Sequence, residues 1–304
     1  MHTLIDLSVP EEYLFPEITL NKREIIMYAM ILAAGYGTRL LPYTKYIPKP
    51  LFPIASQPIL DITINKLINS NFKSIRINTH HLSDQIEKFI QKQRYKIPIK
   101  LFYEKNILET GGGIANMIDK QSLNPFLVIN GDIITHIDLQ DVYKYHLNHK
   151  YHVTMVMHDF AKFNNVIVEN GFVKRFLKKN EHKEMFNLKN NNQLAFTGIH
   201  VCDPIVSEFI DKGKSSIIKA YEKMLKNNIK IKAYIVKNTY WNDIGSKSDY
   251  SIACINRFIE IYLKNNKLNN NKLFYKDFKS CVLPKIMFIN GFFSLLKNKV
   301  VHNK

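Results

Sequence analysis

Short apolar strands alternate with amphipathic helices along the first half of the chain, and no other feature constrains its fold as strongly. We predict strands at 28–33, 74–78, 97–103 and 126–130, with helices around 60–68, from a capping Ser83, from near Gly113 and at 139–148. Alternation of this kind builds a parallel sheet with helices on both faces. The sequence therefore predicts an α/β fold with a Rossmann-like, doubly wound, mostly parallel sheet that binds ligands at the carboxyl ends of its strands.

The pattern changes in the second half of the chain, where strands follow one another closely. We predict strands at 152–158, 166–169, 172–177 and 195–202, separated by turns that contain Asn and Gly. This spacing favours a small antiparallel insertion. Two helices at 204–211 and 216–227, a strand at 230–236 and a last helix at 247–264 complete the prediction. We divide the chain into an N-terminal extension (1–26), one globular domain (27–263) and a basic tail rich in Asn and Lys (264–304).

Composition and charge exclude several classes of protein. The chain has 304 residues, of which 46% are hydrophobic, so it can bury a sizeable core. It has no apolar run long enough to span a bilayer and no signal peptide, which predicts a cytoplasmic protein without a membrane span. Its cysteines, Cys202, Cys254 and Cys281, form no CxxC pair, which argues against a disulfide framework or a zinc site.

The net charge of +17 would suit a nucleic-acid-binding protein, but the kind of basic residue argues against that function. Only six of the 43 basic residues are arginine, the residue that binds phosphates and bases through two parallel hydrogen bonds. Lysines of the tail supply much of the excess charge. We therefore expect no nucleic-acid partner.

A glycine-rich segment directly after the first strand carries the clearest chemical signal. It reads Leu-Ala-Ala-Gly-Tyr-Gly-Thr-Arg-Leu-Leu-Pro over 32–42, and Pro-Lys-Pro follows at 48–50. Glycines in such a position let backbone N–H groups approach a phosphate, and Arg39 and Lys49 can neutralise its charge. The dinucleotide-binding fingerprint is excluded because Leu40 stands where its third glycine belongs. The Walker P-loop is excluded because its GK[ST] ending is absent.

This segment resembles the signature of the sugar-1-phosphate nucleotidyltransferases, LAAGxGTRLxPxTxxxPKPxxPI. The resemblance extends from Met27 to Ala253 and includes four further segments: Glu-Thr-Gly-Gly-Gly at 109–113, Asn-Gly-Asp at 130–132, Phe-Thr-Gly-Ile-His at 196–200 and Trp-Asn-Asp-Ile-Gly at 241–245. It implies a glycosyltransferase-A-like nucleotidyltransferase fold in which the antiparallel insertion binds the sugar. The implied reaction joins a sugar 1-phosphate to a nucleoside triphosphate and releases pyrophosphate.

The resemblance also implies roles for individual residues. Arg39 and Lys49 would be catalytic, and Asp132 and Asp243 would hold Mg²⁺, a hard ion that prefers oxygen ligands. The nucleotide would be bound by Ala33, Ala34, Gly35, Gly37, Thr38, Gly111, Gly112 and Asn130. The sugar phosphate would be bound by Asn165, Lys179 and Gly198. The family's Glu-Lys-Pro motif is replaced here by Lys-Lys-Asn at 178–180, so the lysine role could fall on Lys178 instead.

Two substrate pairs and one other class of function remain open from the sequence. The segments at 78–86, 108–114 and 197–201 are most similar to N-acetylmuramate-1-phosphate uridylyltransferases of cell-wall recycling, which use UTP. Mannose-1-phosphate guanylyltransferases, which use GTP, are the alternative. A non-catalytic, nucleotide-binding regulatory homologue is the third hypothesis. We expect such a protein to have lost a metal or phosphate ligand, whereas all four residues implied for these roles are present.

Overall fold

A computed structural model of the chain describes residues 26–119, 122–178 and 192–265. The strands are β1 Tyr28–Leu32, β2 Pro53–Ile54, β3 Gln57–Pro58, β4 Ser74–Thr79, β5 Ile99–Tyr103, β6 Phe126–Asn130, β7 Ile133–Thr135, β8 Val153–His158, β9 Asn164–Glu169, β10 Phe172–Phe176, β11 Gln193–Cys202, β12 Ile231–Val236 and β13 Trp241–Asp243. The helices are α1 Ile59–Asn69, α2 Ser83–Gln93, α3 Glu109–Met117, α4 Leu139–Leu147, α5 Ile217–Lys226 and α6 Lys247–Asn265. The predicted N-terminal extension up to residue 25, the tail from residue 266, Lys179 and Cys281 lie outside the described residues.

The main sheet has the strand order β5-β4-β1-β6-β11-β8-β12-β10-β9. Strands β5, β4, β1 and β6 are parallel, as predicted. The other half of the sheet contains the antiparallel strands predicted from residue 152 onwards: β11 runs antiparallel to β6 and β8, and β10 runs antiparallel to β12 and β9, whereas β12 runs parallel to β8. The sheet as a whole is therefore mixed, and the prediction of a mostly parallel sheet is corrected in that respect. The antiparallel strands extend the same sheet from the edge of β6, so they do not form a separate insertion.

Helices cover both faces of this sheet. Alternate residues of β1 belong to different cores: Met30 packs with residues of α3 and α5, whereas Ile31 packs with residues of α1, α2 and α4. Because both faces are buried, β1 is apolar at every position. A third apolar cluster joins α6 to the hairpin of β2 and β3. The structure is therefore a mixed α/β fold.

Several predicted helix ends differ from the structure. Helix α2 begins at Ser83, but its N-cap is Leu82 and no side chain caps it, so the predicted capping role of Ser83 is wrong. Helix α3 begins at Glu109, ahead of the predicted start near Gly113. The segment predicted as a helix at 204–211 is a 3-10 turn at Pro204–Phe209. No helix in the described part of the chain combines the length and apolar character needed to cross a bilayer.

Candidate active site

The glycine-rich segment follows β1 at the carboxyl end of the parallel strands, where a buried polar network holds it. The Ala33 N–H donates to Oδ1 of Asn78 at 2.7 Å, and Nδ2 of Asn78 donates to Oε1 of Glu104 at 2.7 Å. The second oxygen of Glu104 accepts from the Leu108 N–H at 2.8 Å. These bonds connect the ends of three adjacent strands, so the backbone after β1 is fixed before any ligand binds.

Sequence reasoning missed Asn78 and Glu104 as parts of the site. Both are buried polar side chains, at 3% and 2% exposure, and both lie where a parallel strand ends. A polar residue at the end of an otherwise apolar parallel strand is the signal that could have identified them.

The two glycines of the loop are required for different reasons. Gly37 has a φ of 63°, and a Cβ there would lie 2.8 Å from Cγ2 of Thr44. A Cβ on Gly35 would meet no atom of residues 26–119, 122–178 and 192–265 within 4 Å. Gly37 therefore shapes the turn, whereas Gly35 leaves open space beside the backbone.

A cleft of about 310 Å³ lies over this loop. Its lining includes the following residues implied by the resemblance: Ala33, Ala34, Gly35, Gly37, Thr38, Arg39, Lys49, Asn130 and Asp132. At its other end, the cleft is lined by Ile107, Glu109 and Thr110. The structure thus brings most of the implied nucleotide residues into one cleft.

Gly111 and Gly112 do not line this cleft, unlike the other nucleotide-binding residues that the resemblance implies. Their N–H groups both donate to the Ser215 carbonyl, at 2.7 and 3.1 Å, and a Cβ on Gly112 would lie 2.2 Å from the Gly213 carbonyl. Both glycines are buried where α3 crosses the segment before α5. The close approach of the two backbones therefore explains why glycine stands at both positions. The N–H groups of both glycines already donate to the Ser215 carbonyl.

Lys49 and Asp132 form an ion pair on the floor of the cleft. Nζ of Lys49 donates to Oδ2 of Asp132, and Lys49 is only 8% exposed. The carboxylate compensates part of the hydration that the nearly buried ammonium group loses. The pair therefore places a lysine and a carboxylate next to each other in the lining of the cleft.

Asp243 reaches the same place from a distant part of the sequence. Strand β13 pairs with β7 so that Asp243 lies opposite Ile133, and the Ile244 N–H donates to the Asp132 carbonyl at 3.0 Å. Burial, together with the nearby Asp132 carboxylate, raises the pKa of Asp243 above its ordinary value. Its Oδ1 is buried and finds no hydrogen-bond partner among the residues that the structure describes.

These two aspartates fit the Mg²⁺ that the resemblance implies. Burying a carboxylate oxygen without a hydrogen-bond partner beside a second carboxylate raises the free energy of the folded chain. A bound cation would compensate both negative charges. The described residues contain no group of three His, Cys, Asp or Glu that could hold a metal. The ion would therefore need further oxygen ligands from water or substrate phosphates, which is how Mg²⁺ commonly binds.

Arg39 lies beside this pair but is more exposed. Its guanidinium is 3.9 Å from Oδ2 of Asp243, and its side chain is 62% exposed. A Cβ on Gly245 would lie 2.3 Å from Nη1 of Arg39, so the glycine leaves room for the guanidinium. Arg39 is thus held loosely at the mouth of the cleft, where it can follow a ligand.

A second cavity of about 320 Å³ lies on the other side of Asn130. Gly198, Asn165, Lys178 and Asp243 all line it. Gly198 has a φ of 74°, and a Cβ there would lie 2.5 Å from Nδ2 of Asn130. Asn130 lines both cavities, so the cavities adjoin there. Asp132 lines the first cavity and Asp243 lines the second, and the two aspartates therefore lie where the cavities meet.

Comparison with known proteins identifies the family of this fold and site. The model of the nucleotidyl transferase family matches residues 28–257, and the chain belongs to this family. It is 29% identical over 233 residues to mannose-1-phosphate guanyltransferase beta-B of Xenopus laevis, covering 74% of this chain and 62% of the relative. It is 27% identical over 233 residues to D-glycero-alpha-D-manno-heptose 1-phosphate guanylyltransferase of Aneurinibacillus thermoaerophilus. That alignment covers 75% of this chain and 96% of the relative.

A solved structure agrees with the family assignment at the level of the fold. The structure of UDP-glucose pyrophosphorylase complexed with UDP-glucose superimposes with a TM-score of 0.65 at 21% identity, covering 77% of this chain and 99% of that one. The chain spans about three fifths of the length of the Xenopus relative.

Proposed function

We propose that the chain is a sugar-1-phosphate nucleotidyltransferase, which transfers a nucleotidyl group from a nucleoside triphosphate to a sugar 1-phosphate and releases pyrophosphate. One observation carries this proposal: two cavities meet at Asp132 and Asp243, and only one of them contains the glycine-rich loop. A reaction between two phosphorylated substrates needs two such compartments with compensating charge between them.

In the proposed reaction, an oxygen of the sugar phosphate attacks the α-phosphorus, and the bond to the β-phosphate oxygen breaks. The loop backbone and Arg39 hold the phosphates that leave as pyrophosphate, and Lys49 stabilises charge at the reacting phosphates. When bound, Mg²⁺ held by Asp132 and Asp243 would neutralise the triphosphate. No covalent enzyme intermediate is required, so the side chains act by positioning and by charge.

The sugar and the base remain finer proposals. The sequence segments favour N-acetylmuramate 1-phosphate with UTP, whereas the two named relatives favour GTP with a sugar of the manno series. We take the guanylyl pair as the better supported of the two. The regulatory hypothesis is less well supported, since Arg39, Lys49, Asp132 and Asp243 are together at one site.

The test is a substrate panel with product mass as the readout. The purified chain is incubated with UTP, GTP, dTTP or CTP and each of several sugar 1-phosphates, with Mg²⁺ or with a chelator. We expect one NDP-sugar and stoichiometric pyrophosphate, and no product with the chelator. Nucleotide binding without turnover on any sugar would instead support the regulatory hypothesis.

A further inference from the structure

The cavity proposed for the sugar has an aromatic wall and few charged side chains. Phe163, Phe176, Phe196 and Trp241 line it. Apart from Asp243, which belongs to the metal-binding pair, the carboxylate in the described lining is Glu222. We propose that Glu222 binds hydroxyl groups of the sugar and selects a neutral sugar over one that carries a carboxylate. This inference rests on the proposed function.

Helix α5 presents Glu222 to the cavity because of its spacing. Ile218 and Glu222 are separated by one helical turn, and both line the cavity. The neighbouring face of α5, which includes Ala220, Tyr221 and Met224, is buried in the core. The cavity thus receives one apolar and one charged side chain from the same stripe of the helix.

The backbone that carries Glu222 is anchored on both sides. The hydroxyl of the adjacent Tyr221 is hydrogen-bonded to Nδ1 of His200 and lies 3.1 Å from Sγ of Cys202. At the start of the helix, the Ile217 N–H donates to Oγ1 of Thr110 at 2.9 Å. His200 belongs to β11, the strand that also supplies Phe196 and Gly198 to the cavity. These contacts therefore fix the part of α5 that carries Glu222 relative to the other residues that line the cavity.

Glu222 is an exposed side chain, so its carboxylate is open to solvent or to a ligand. Among the described residues, no hydrogen bond or ion pair engages its carboxylate, although basic residues of α5 do form such pairs, as Lys223 does with Asp211. An ionised carboxylate only accepts hydrogen bonds, and sugar hydroxyls are donors. Bonds from neutral donors to a charged acceptor are among the stronger hydrogen bonds. The aromatic rings can pack against the apolar face of the sugar ring.

The charge of Glu222 has a consequence for the choice of sugar. A sugar carboxylate placed beside Glu222 would be repelled by it, because like charges at short range raise each other's free energy. Lys178 also lines the cavity, but the resemblance assigns the lysine of this segment to the sugar phosphate. N-acetylmuramate 1-phosphate carries such a carboxylate on its lactyl group, whereas mannose 1-phosphate carries none. Glu222 therefore favours the neutral sugar.

The experiment compares Glu222→Gln with Glu208→Gln, an exposed glutamate outside the cavity lining. With the preferred triphosphate and mannose 1-phosphate, we expect Glu222→Gln to raise KM for the sugar phosphate about tenfold and to leave KM for the triphosphate unchanged. The ratio of kcat/KM for N-acetylmuramate 1-phosphate to that for mannose 1-phosphate should rise about tenfold as well. Glu208→Gln should match the wild type in each constant.

An unchanged KM for the sugar phosphate in Glu222→Gln would overturn the inference while leaving the proposed function intact. So would an equal rise in both KM values, or a wild type that prefers N-acetylmuramate 1-phosphate. If the wild type transfers nucleotide to no sugar in the panel, the proposed function itself fails, and the inference falls with it.

Discussion

Two glycines in one loop differ in what a methyl group would do to them. At Gly37, an added Cβ would be strained by the positive φ and crowded by Thr44. At Gly35, it would meet no atom of the described part of the chain within 4 Å, so the space is open to a ligand. Stability and binding can therefore be separated by one methyl group at each position.

We predict that Gly35→Ala keeps the melting temperature of the wild type and raises KM for the triphosphate at least tenfold. Gly37→Ala should lose about 1–2 kcal/mol of stability from its left-handed backbone alone. Thermal melts and steady-state kinetics on both variants check this. A Gly35→Ala variant that binds the triphosphate normally would show that no phosphate approaches this part of the loop.

We predict that Asp243→Asn lowers turnover by orders of magnitude without destabilising the metal-free protein. Because the pKa of Asp243 is raised by burial and by Asp132, its ionised form costs folding free energy that the amide avoids. Melting temperatures with and without Mg²⁺ are the measurement. Added Mg²⁺ should raise the melting temperature of the wild type more than that of the variant, whereas an equal rise in both, or full turnover in the variant, would contradict the metal assignment.

At the scale of elements, helix α5 is joined to β11 by a buried hydrogen bond between Tyr221 and His200. Burial lowers the pKa of His200 to about 3, so its imidazole is neutral in the folded chain and bonded to Tyr221. In the unfolded chain, the same group has an ordinary pKa of about 6.5. The unfolded state therefore binds the extra proton between these two values, and stability falls as the pH falls below about 6.5.

We predict that His200→Gln, which keeps a neutral polar side chain at this position, flattens this dependence. One proton of difference corresponds to about 1.4 kcal/mol per pH unit. Urea unfolding at pH 7, 6 and 5 measures the slope for both proteins. Burial also lowers the pKa of His149, to about 4. Some decrease of stability with falling pH should therefore remain in both the wild type and the variant. Identical slopes in the two proteins would mean that His200 does not take part.

Elements with strong local signals were predicted well, and those set by distant contacts were not. Strand β6 occupies the predicted residues Phe126–Asn130, because a fully apolar run of this length suits a strand buried on both faces. The start of α3 was misplaced because glycines are usually poor helix formers. Here they allow α3 to approach residues 213–217, which the local sequence cannot reveal.

For the whole molecule, the pairing partners of the later strands were the main failure of prediction. Local patterns identify a strand but not its neighbour, and the free edge of β6 is occupied by β11, which comes later in the chain. Arg39, Lys49, Asp132 and Asp243 come together from three segments of the implied signature, although they are far apart in the sequence. The supporting residues Asn78 and Glu104 carry no such signature.

We predict that a fragment of residues 26–265 folds and retains turnover within a factor of a few of the full chain. Both cavities are lined by described residues of this range. Circular dichroism, a cooperative melt and the panel assay provide the check, with the full chain as the reference. A folded fragment with collapsed turnover would show that residues outside this range contribute to the site.

The pairing of β7 with β13 also governs when the site comes into existence during synthesis. A ribosome releases the N-terminal part of a chain first, and domains fold as units. Asp132 emerges long before Asp243, so a nascent chain that has completed β7 still lacks one of the two aspartates of the proposed metal site. The proposed metal site is therefore complete only after β13 has been synthesised and has paired with β7.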